Sequence, residues 1–393
     1  MYNIEYTDLT LDRVIEMRKL YLLIITLLMM LSGIKASAMA DSAKGACLLN
    51  AVTGEIVFEK NGDEPRPMAS TTKIMTLLTA VECAKPDDIV TIPHEVVMTE
   101  GSSAYLEEGA KYSMRDLWYG LMLNSGNDAA VAIAYHISGS VEAFAEEMNS
   151  RARSIGVKNT SFKNPNGLDE EGHYTTPIDL AKITQYALNN EQFAEVVAAR
   201  SHTAQYTRAD GTEKTIEYIN HNRLLREVEG CIGVKTGYTK ADGRCLVSAA
   251  ERDGIRFIAV TLNDPDDWAE HKEMLESGFS GCRMVKAVRE NDVIRHVISE
   301  GKEICQLVAA TDFDIPTNGD RGHEFDIKVN LPNRTYMPLN EDEKIGELEI
   351  YRGDDFIGKV DVVADRTVLE ESEVKTKRCF WFSALTILRN LLR

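Results

Sequence analysis

Short apolar runs set between turn residues, and longer runs with apolar positions three and four apart, divide this chain into predicted strands and helices. Gly45-Ala46-Cys47-Leu48-Leu49-Asn50 and residues 55–59 read as two strands, with Thr53-Gly54 turning between them. A helical run follows in which Ile74, Leu77, Leu78 and Val81 share one face. Ser113-Met114-Arg115-Asp116 is a capping box ahead of Leu117, Leu121 and Met122. Asn124-Ser125-Gly126-Asn127 interrupts the pattern, and the alanine-rich stretch from Ala129 to Ile137 then reads as a buried helix. Helical spacing continues through residues 141–155 and 177–188, and Asp210-Gly211 between polar alternating runs predicts an exposed hairpin. From Gly233 the period changes to that of strands: Gly233 to Tyr238, Arg244 to Glu251 and Ile255 to Asn263. Their turns fall near Ala241-Asp242-Gly243 and Asp253-Gly254. A helix around residues 266–280 ends the region. Strands open and close it while helices fill its middle. That predicts an α+β fold, an antiparallel sheet assembled from both ends of the region with helices packed on it.

Residues 283–365 are patterned differently. Glu324-Phe325-Asp326-Ile327-Lys328-Val329 and Glu347-Leu348-Glu349-Ile350-Tyr351 alternate with period two, the mark of a small all-β domain. No nucleophile-and-base constellation falls there. The last residues, 378–393, form a third unit. On a helical wheel Ile387, Phe380, Leu391, Ala384, Leu388, Trp381, Leu392 and Leu385 gather on one side. Arg378, Arg389 and Arg393 lie on the other with Thr386, Asn390 and Ser383. A basic amphipathic helix with Trp and Phe on its apolar side fits binding to a membrane surface.

The N-terminus fixes a compartment. Arg18-Lys19 precede a run from Leu20 to Leu31 that is apolar except for Thr26, followed by Ala36-Ser37-Ala38-Met39-Ala40. This order of charged, apolar and small residues is that of a secretory signal peptide, with cleavage near Ala40. The apolar core is shorter than the roughly 20 residues a spanning helix needs. Residues 1–16 are polar for a leader, which makes Met17 a candidate start. The expected organisation is a signal peptide over 1–40, an α+β domain over 41–282, a β domain over 283–367 and an amphipathic tail over 368–393.

The chain carries a formal net charge of −18, which argues against nucleic acid as a partner. Its seven cysteines include no Cys-x-x-Cys and no Cys/His pair at zinc spacing, so no structural metal is expected. Cys231 and Cys245 could face each other across two strands, but buried free thiols are the favoured reading.

The candidate chemistry sits on this frame at three places. Ser70-Thr71-Thr72-Lys73 heads the first helix and puts a hydroxyl one turn from an amine, a nucleophile beside a base. By itself Ser before an apolar run is a helix cap and the lysine a solvated charge. Ser125-Gly126-Asn127 lies in the break between two helices, where side chains can point into a cleft. Lys235-Thr236-Gly237 lies on the strand that should border it. In this combination the chain resembles the penicillin-recognising serine enzymes, which share S-x-x-K, S-x-N and K-T-G in this order. It is most similar to the low-molecular-weight D-alanyl-D-alanine carboxypeptidases of peptidase family S11. Asn164-Pro165-Asn166-Gly167-Leu168 and Asn222-Arg223-Leu224-Leu225 belong to that resemblance, as do the β domain and the tail.

The resemblance implies the penicillin-binding, β-lactamase-like transpeptidase fold and no cofactor. It implies acyl transfer on peptidoglycan stem peptides ending in D-Ala-D-Ala, with β-lactam antibiotics as covalent inhibitors. Ser70 would attack the penultimate D-alanine carbonyl. Lys73 would take its proton, which requires a pKa depressed by burial and by Lys235. Ser125 would pass that proton to the leaving amine. Asn127 would hold the substrate amide and orient Lys73. Lys235 and Thr236 would take the terminal carboxylate, and Gly237 would let the substrate lie close to the strand. By resemblance again, the backbone N–H groups of Ser70 and Tyr238 would form the oxyanion hole. Asp169, Glu170 and Glu171 read as a solvated loop rather than a deacylating base, His173 has no assigned part, and no histidine is placed for a Ser-His-Asp triad. Two alternatives stay open: a β-lactamase with the same motifs, and an inactive peptidoglycan-binding protein.

Overall fold

The structure is a computed structural model that describes residues 39–318, 325–335, 338–353, 355–369 and 374–376. The tail expected to be amphipathic over 378–393, and the leader up to residue 38, lie outside the described residues. Among the described residues no helix is long and apolar enough to cross a membrane.

Five antiparallel strands form the central sheet. Their order is Glu55–Lys60, Gly45–Asn50, Ile255–Leu262, Gly243–Arg252 and Cys231–Thr239. The first strand in the chain therefore pairs with the last of the region, Gly45 opposite Leu262 and Asn50 opposite Phe257. It is buried along its whole length, which is why it reads as an unbroken small and apolar run. The helices Pro177–Ala187 and Asp267–Gly281 pack on this sheet. The helix Lys73–Cys83 is buried from Lys73 to Val81, and the helices Met114–Leu123, Asn127–Ser138, Val141–Ile155 and Pro177–Ala187 all pack against it. A helix apolar nearly all round belongs at the centre of a domain.

Most element ends match their sequence signals. Ser113 caps its helix by accepting from the Asp116 N–H at 3.1 Å, and Thr176 accepts from Asp179 N–H ahead of Pro177 at the first helical position. The hairpin Ser201–Thr207 with Glu213–Ile219 turns at Asp210-Gly211. It extends into a four-stranded sheet through Lys111–Ser113 and Ile89–Thr91, each three residues long and too short to show a period. The helix Glu191–Ala198 was not expected from its pattern. Asn190 caps it through Gln192 and Phe193 N–H.

The β region begins with Cys282–Val288 paired to Phe313–Asn318. A seven-stranded antiparallel sheet follows, led by Asp326–Asn330, Lys344–Arg352, Asp355–Ala364, Lys302–Ala309 and Val293–Ser299. Its core joins Val297, Leu307, Leu348, Ile350, Val360 and Val362. Glu55 of the central sheet reaches Arg352 of this sheet at 3.0 Å and the Asn318 N–H of the two-stranded pair at 3.3 Å. Cys231 and Cys245 do not face each other. The register sets Cys245 opposite Gly237 and Cys231 opposite Ala250, and both are free thiols.

Candidate active site

Ser70 lies in a 3-10 turn, Ala69–Thr72, that leads into the helix starting at Lys73. In that tighter geometry residues i and i+3 eclipse, so the motif's first and fourth side chains meet. Lys73 Nζ stands 3.0 Å from Ser70 Oγ. Ser70 is half-buried while Lys73 is fully buried. Two further atoms reach Lys73 Nζ, Asn127 Oδ1 at 2.7 Å and the Asn166 carbonyl at 2.5 Å.

Both of those partners are acceptors only. A neutral amine has two N–H groups and one lone pair. When its two hydrogens go to Asn127 and Asn166, the lone pair is left for the Ser70 hydroxyl. The Asn127 amide is oriented by its own partner, since Nδ2 donates to the Glu100 carbonyl at 2.7 Å and Oδ1 must then face the lysine. Its neighbour Asp128 accepts from Ser103 Oγ and from the N–H groups of Ala104, Leu106 and Ala129, which pins the 103–106 loop beside the start of this helix.

The strand Cys231–Thr239 borders the turn. A Cβ on Gly237 would lie 3.0 Å from Ser70 N and 3.1 Å from Thr71 N, so glycine is what lets strand and turn approach. Lys235 is buried and donates to the Thr236 carbonyl at 2.8 Å. Burial pushes its pKa down to about 7. Burial first, then the Lys235 cation, hold the Lys73 ammonium well below the usual lysine range, against the opposing pull of Asp128. Ser125 is buried two residues before Asn127 with φ 57°, and no hydrogen bond joins it to Lys73. Thr236 is half-buried and Tyr238 is 65% exposed.

The family model of D-alanyl-D-alanine carboxypeptidase matches residues 33–266, which contain all of these groups. The chain belongs to the D-alanyl-D-alanine carboxypeptidase family. A model of the penicillin-binding protein 5 C-terminal domain matches residues 283–370. The D-alanyl-D-alanine carboxypeptidase DacF of Bacillus subtilis is 32% identical over 343 residues, covering 84% of this chain and 87% of that protein. The carboxypeptidase of Streptomyces sp. strain K15 is 38% identical over 234 residues, covering 56% of this chain and 80% of that protein. Among solved structures, penicillin-binding protein 5 from Haemophilus influenzae superposes with a TM-score of 0.61 at 27% identity, covering 84% of this chain and 98% of that one.

Three features of this carboxypeptidase were not assigned a part from its sequence. The Asn166 carbonyl is one; a backbone atom leaves no side-chain signature, although Asn164–Leu168 is part of the family resemblance. Asn164 and Asn166 fold that loop by accepting from the Gly167 and Leu168 N–H groups, and Thr76 Oγ1 donates to the Pro165 carbonyl at 2.6 Å. The second is the acidic loop: Asp169, Glu170 and Glu171 are exposed, as expected of a solvated run, and two of them also make specific bonds. Thr239 Oγ1 donates to Asp169 at 3.1 Å, Asn164 Nδ2 donates to Glu170 at 3.0 Å, and Asp169 faces Asp242. Asp242 is raised to about 6 by burial and by that second carboxylate. The third is His173, buried against Phe162 with both ring nitrogens engaged.

Proposed function

We propose that this carboxypeptidase removes the terminal D-alanine from peptidoglycan stem pentapeptides through an acyl-enzyme on Ser70. The observation that carries the reading is the Lys73 amine, buried among two carbonyl acceptors and the Ser70 hydroxyl. In the acylation step Ser70 Oγ bonds to the penultimate carbonyl carbon and the amide C–N bond breaks. The Ser70 proton passes to Lys73 and through Ser125 to the departing amine of D-alanine. The carbonyl oxygen is held by the Ser70 and Tyr238 N–H groups, each worth roughly 3 kcal/mol to the transition state. Asn127 positions the substrate amide and Lys73 together. Lys235 and Thr236 receive the free carboxylate, which makes the enzyme act at a chain end, and Gly237 leaves room for the substrate backbone. Water then hydrolyses the ester.

The chain is divided into a leader over 1–40, a catalytic domain over 41–282, a β domain over 283–367 and a tail over 368–393. The leader pattern and the basic amphipathic tail support export and a peripheral place on the extracytoplasmic membrane face. Deleting residues 378–393 should release the protein from membranes and leave hydrolysis of small peptides intact.

Penicillin exposure followed by peptide mapping tests the mechanism. The expected result is a long-lived adduct on Ser70, with D-alanine released from a D-Ala-D-Ala peptide by the wild type and by no Ser70→Ala protein. Rapid penicillin turnover without an adduct would make the enzyme a β-lactamase. Neither reaction would make it a peptidoglycan-binding protein.

A further inference from the structure

The residue before the nucleophile is held in an unusual way. Ala69 has φ +46°, a left-handed conformation that costs a side chain with a Cβ of order 1–3 kcal/mol. Its peptide groups are gripped from opposite sides. The Ala69 N–H donates to Asp242 Oδ2 at 3.0 Å, and its carbonyl accepts from Thr72 Oγ1 at 2.8 Å. Thr72 Oγ1 in turn lies 2.8 Å from His173 Nε2.

The direction of this chain of bonds is fixed by its far end. The Lys163 N–H reaches His173 Nδ1 at 3.0 Å, so Nδ1 accepts and the ring hydrogen sits on Nε2. Nε2 then donates to Thr72, and the Thr72 hydrogen is free to go to Ala69. Burial keeps the ring neutral by pushing its pKa down to about 4, although Glu170 and Asp169 pull the other way. Gly167 completes the grip. A Cβ there would lie 2.0 Å from the Ala69 carbonyl oxygen, so the loop backbone presses directly on that group.

We propose that Thr72 and His173 are positioning residues for Ser70: their paired hydroxyl and imidazole hold the Ala69 carbonyl, Asp242 holds its N–H, and the left-handed turn between them aims Ser70 Oγ. The proposal rests on Ser70 being the nucleophile. Both side chains are buried and bonded to each other and, through Thr72, to the Ala69 carbonyl, so on this proposal both act through the backbone ahead of Ser70.

The test compares Thr72→Val, nearly the same shape without the hydroxyl, with Thr72→Ser, which keeps it. Acylation of the full chain by penicillin is followed by stopped flow and the adduct is mapped. Thr72→Val should lower the first-order acylation constant by about 10- to 100-fold, the scale of a small misplacement of a reacting group. The pre-acylation binding constant should hold within about twofold, and Thr72→Ser should recover most of the loss. Wild-type rates in Thr72→Val overturn the proposal. So does an equal loss in Thr72→Ser, or a loss confined to binding. Should Thr72→Val not accumulate as folded protein, His173→Asn decides. It keeps an acceptor for Lys163 but falls short of Thr72, and should slow acylation about fivefold, whereas an unchanged rate overturns the clamp. Mapping the wild-type adduct to Ser70 in the same series tests the parent reading separately, because a wild type labelled elsewhere fails before any variant is compared.

Discussion

The two folded regions of this chain treat buried polarity in opposite ways. Around the central sheet Lys73, Lys235, Asn127, Asp128, Asp242 and His173 all lie within the interior. In the β region the buried set is Val, Leu, Ile, Ala and Cys, and among the described residues Thr317 is its buried polar side chain. Its charges stay at the surface in pairs such as Lys344 with Asp361 and Lys359 with Glu347. A buried ion costs several kcal/mol unless it is neutralised or well partnered. One region buries two lysines and pushes both ammonium groups toward neutrality, which is what the role proposed for Lys73 requires. The other keeps an apolar core.

Lys73→Met puts the largest strain on this contrast. On the general-base role proposed for Lys73, it should lower acylation by penicillin about 10³-fold, the middle of the range for such a group. The melting temperature should move little, since removing a desolvated amine offsets two orphaned acceptors, Asn127 Oδ1 and the Asn166 carbonyl. Calorimetry showing collapse of the fold would make Lys73 a structural residue. Leu307→Ala is the mirror experiment. Leu307 is fully buried in the β core, so its truncation should cost about 2–5 kcal/mol in unfolding while Ser70 still labels at the wild-type rate.

Lys235 sharpens the comparison through pH. Its folded pKa of about 7 lies below the ordinary 10.5. The carboxylate-binding role proposed for Lys235 needs its protonated form, so on that reading kcat/KM should fall about tenfold per unit above that limb. Lys235→Arg, which stays charged, should move the limb upward. The sign for stability is opposite. Between about 7 and 10.5 the unfolded chain binds the proton that the folded one releases, so stability rises with pH through that window. Lys235→Met should flatten the slope in urea titrations. The smallest effect belongs to Lys344→Ala on the β surface, which should leave both melting and acylation within error, as exposed pairs usually do. A clear loss there would show that surface charge, and not the apolar core, holds the β region.

Much of this contrast was legible in the sequence, because the strands of the central sheet are apolar runs between turn residues and the three motifs stand in order. The Ser70–Lys73 spacing was legible too, although the 3-10 turn that eclipses the pair was not. Alanine at position 69 gives no signal for a left-handed residue. The grip on it joins Asp242, Thr72 and His173, which share no local pattern. The free thiols favoured for Cys231 and Cys245 are what the structure holds, although Cys231 is only half-buried, and register is what keeps the two apart. A hairpin turning at Ala241–Gly243 places Cys245 opposite Gly237, and an irregularity between Cys231 and Gly233 shifts the strand's far end again. Backbone carbonyls such as that of Asn166 are specified by a whole loop, and the side chains that fold the loop say nothing of where its oxygen points.

The leading strand of the sheet has a consequence for how the molecule is made. Gly45–Asn50 is paired on one side with Glu55–Lys60, next along the chain, and on the other with Ile255–Leu262. Just outside it Ser42 N–H meets Glu270 Oε1 at 2.6 Å across a separation of 228 residues. Closing so long a loop adds only modestly to the entropic cost but slows folding, since distant partners must find each other before either is rewarded. A growing chain can zip the first hairpin early, yet it carries one open edge until residue 262 has been made. The sheet is thus assembled from the two ends of its chain segment and closes last at an interior seam, between Gly45–Asn50 and Ile255–Leu262. The site that depends on that sheet can exist only after the last strand arrives.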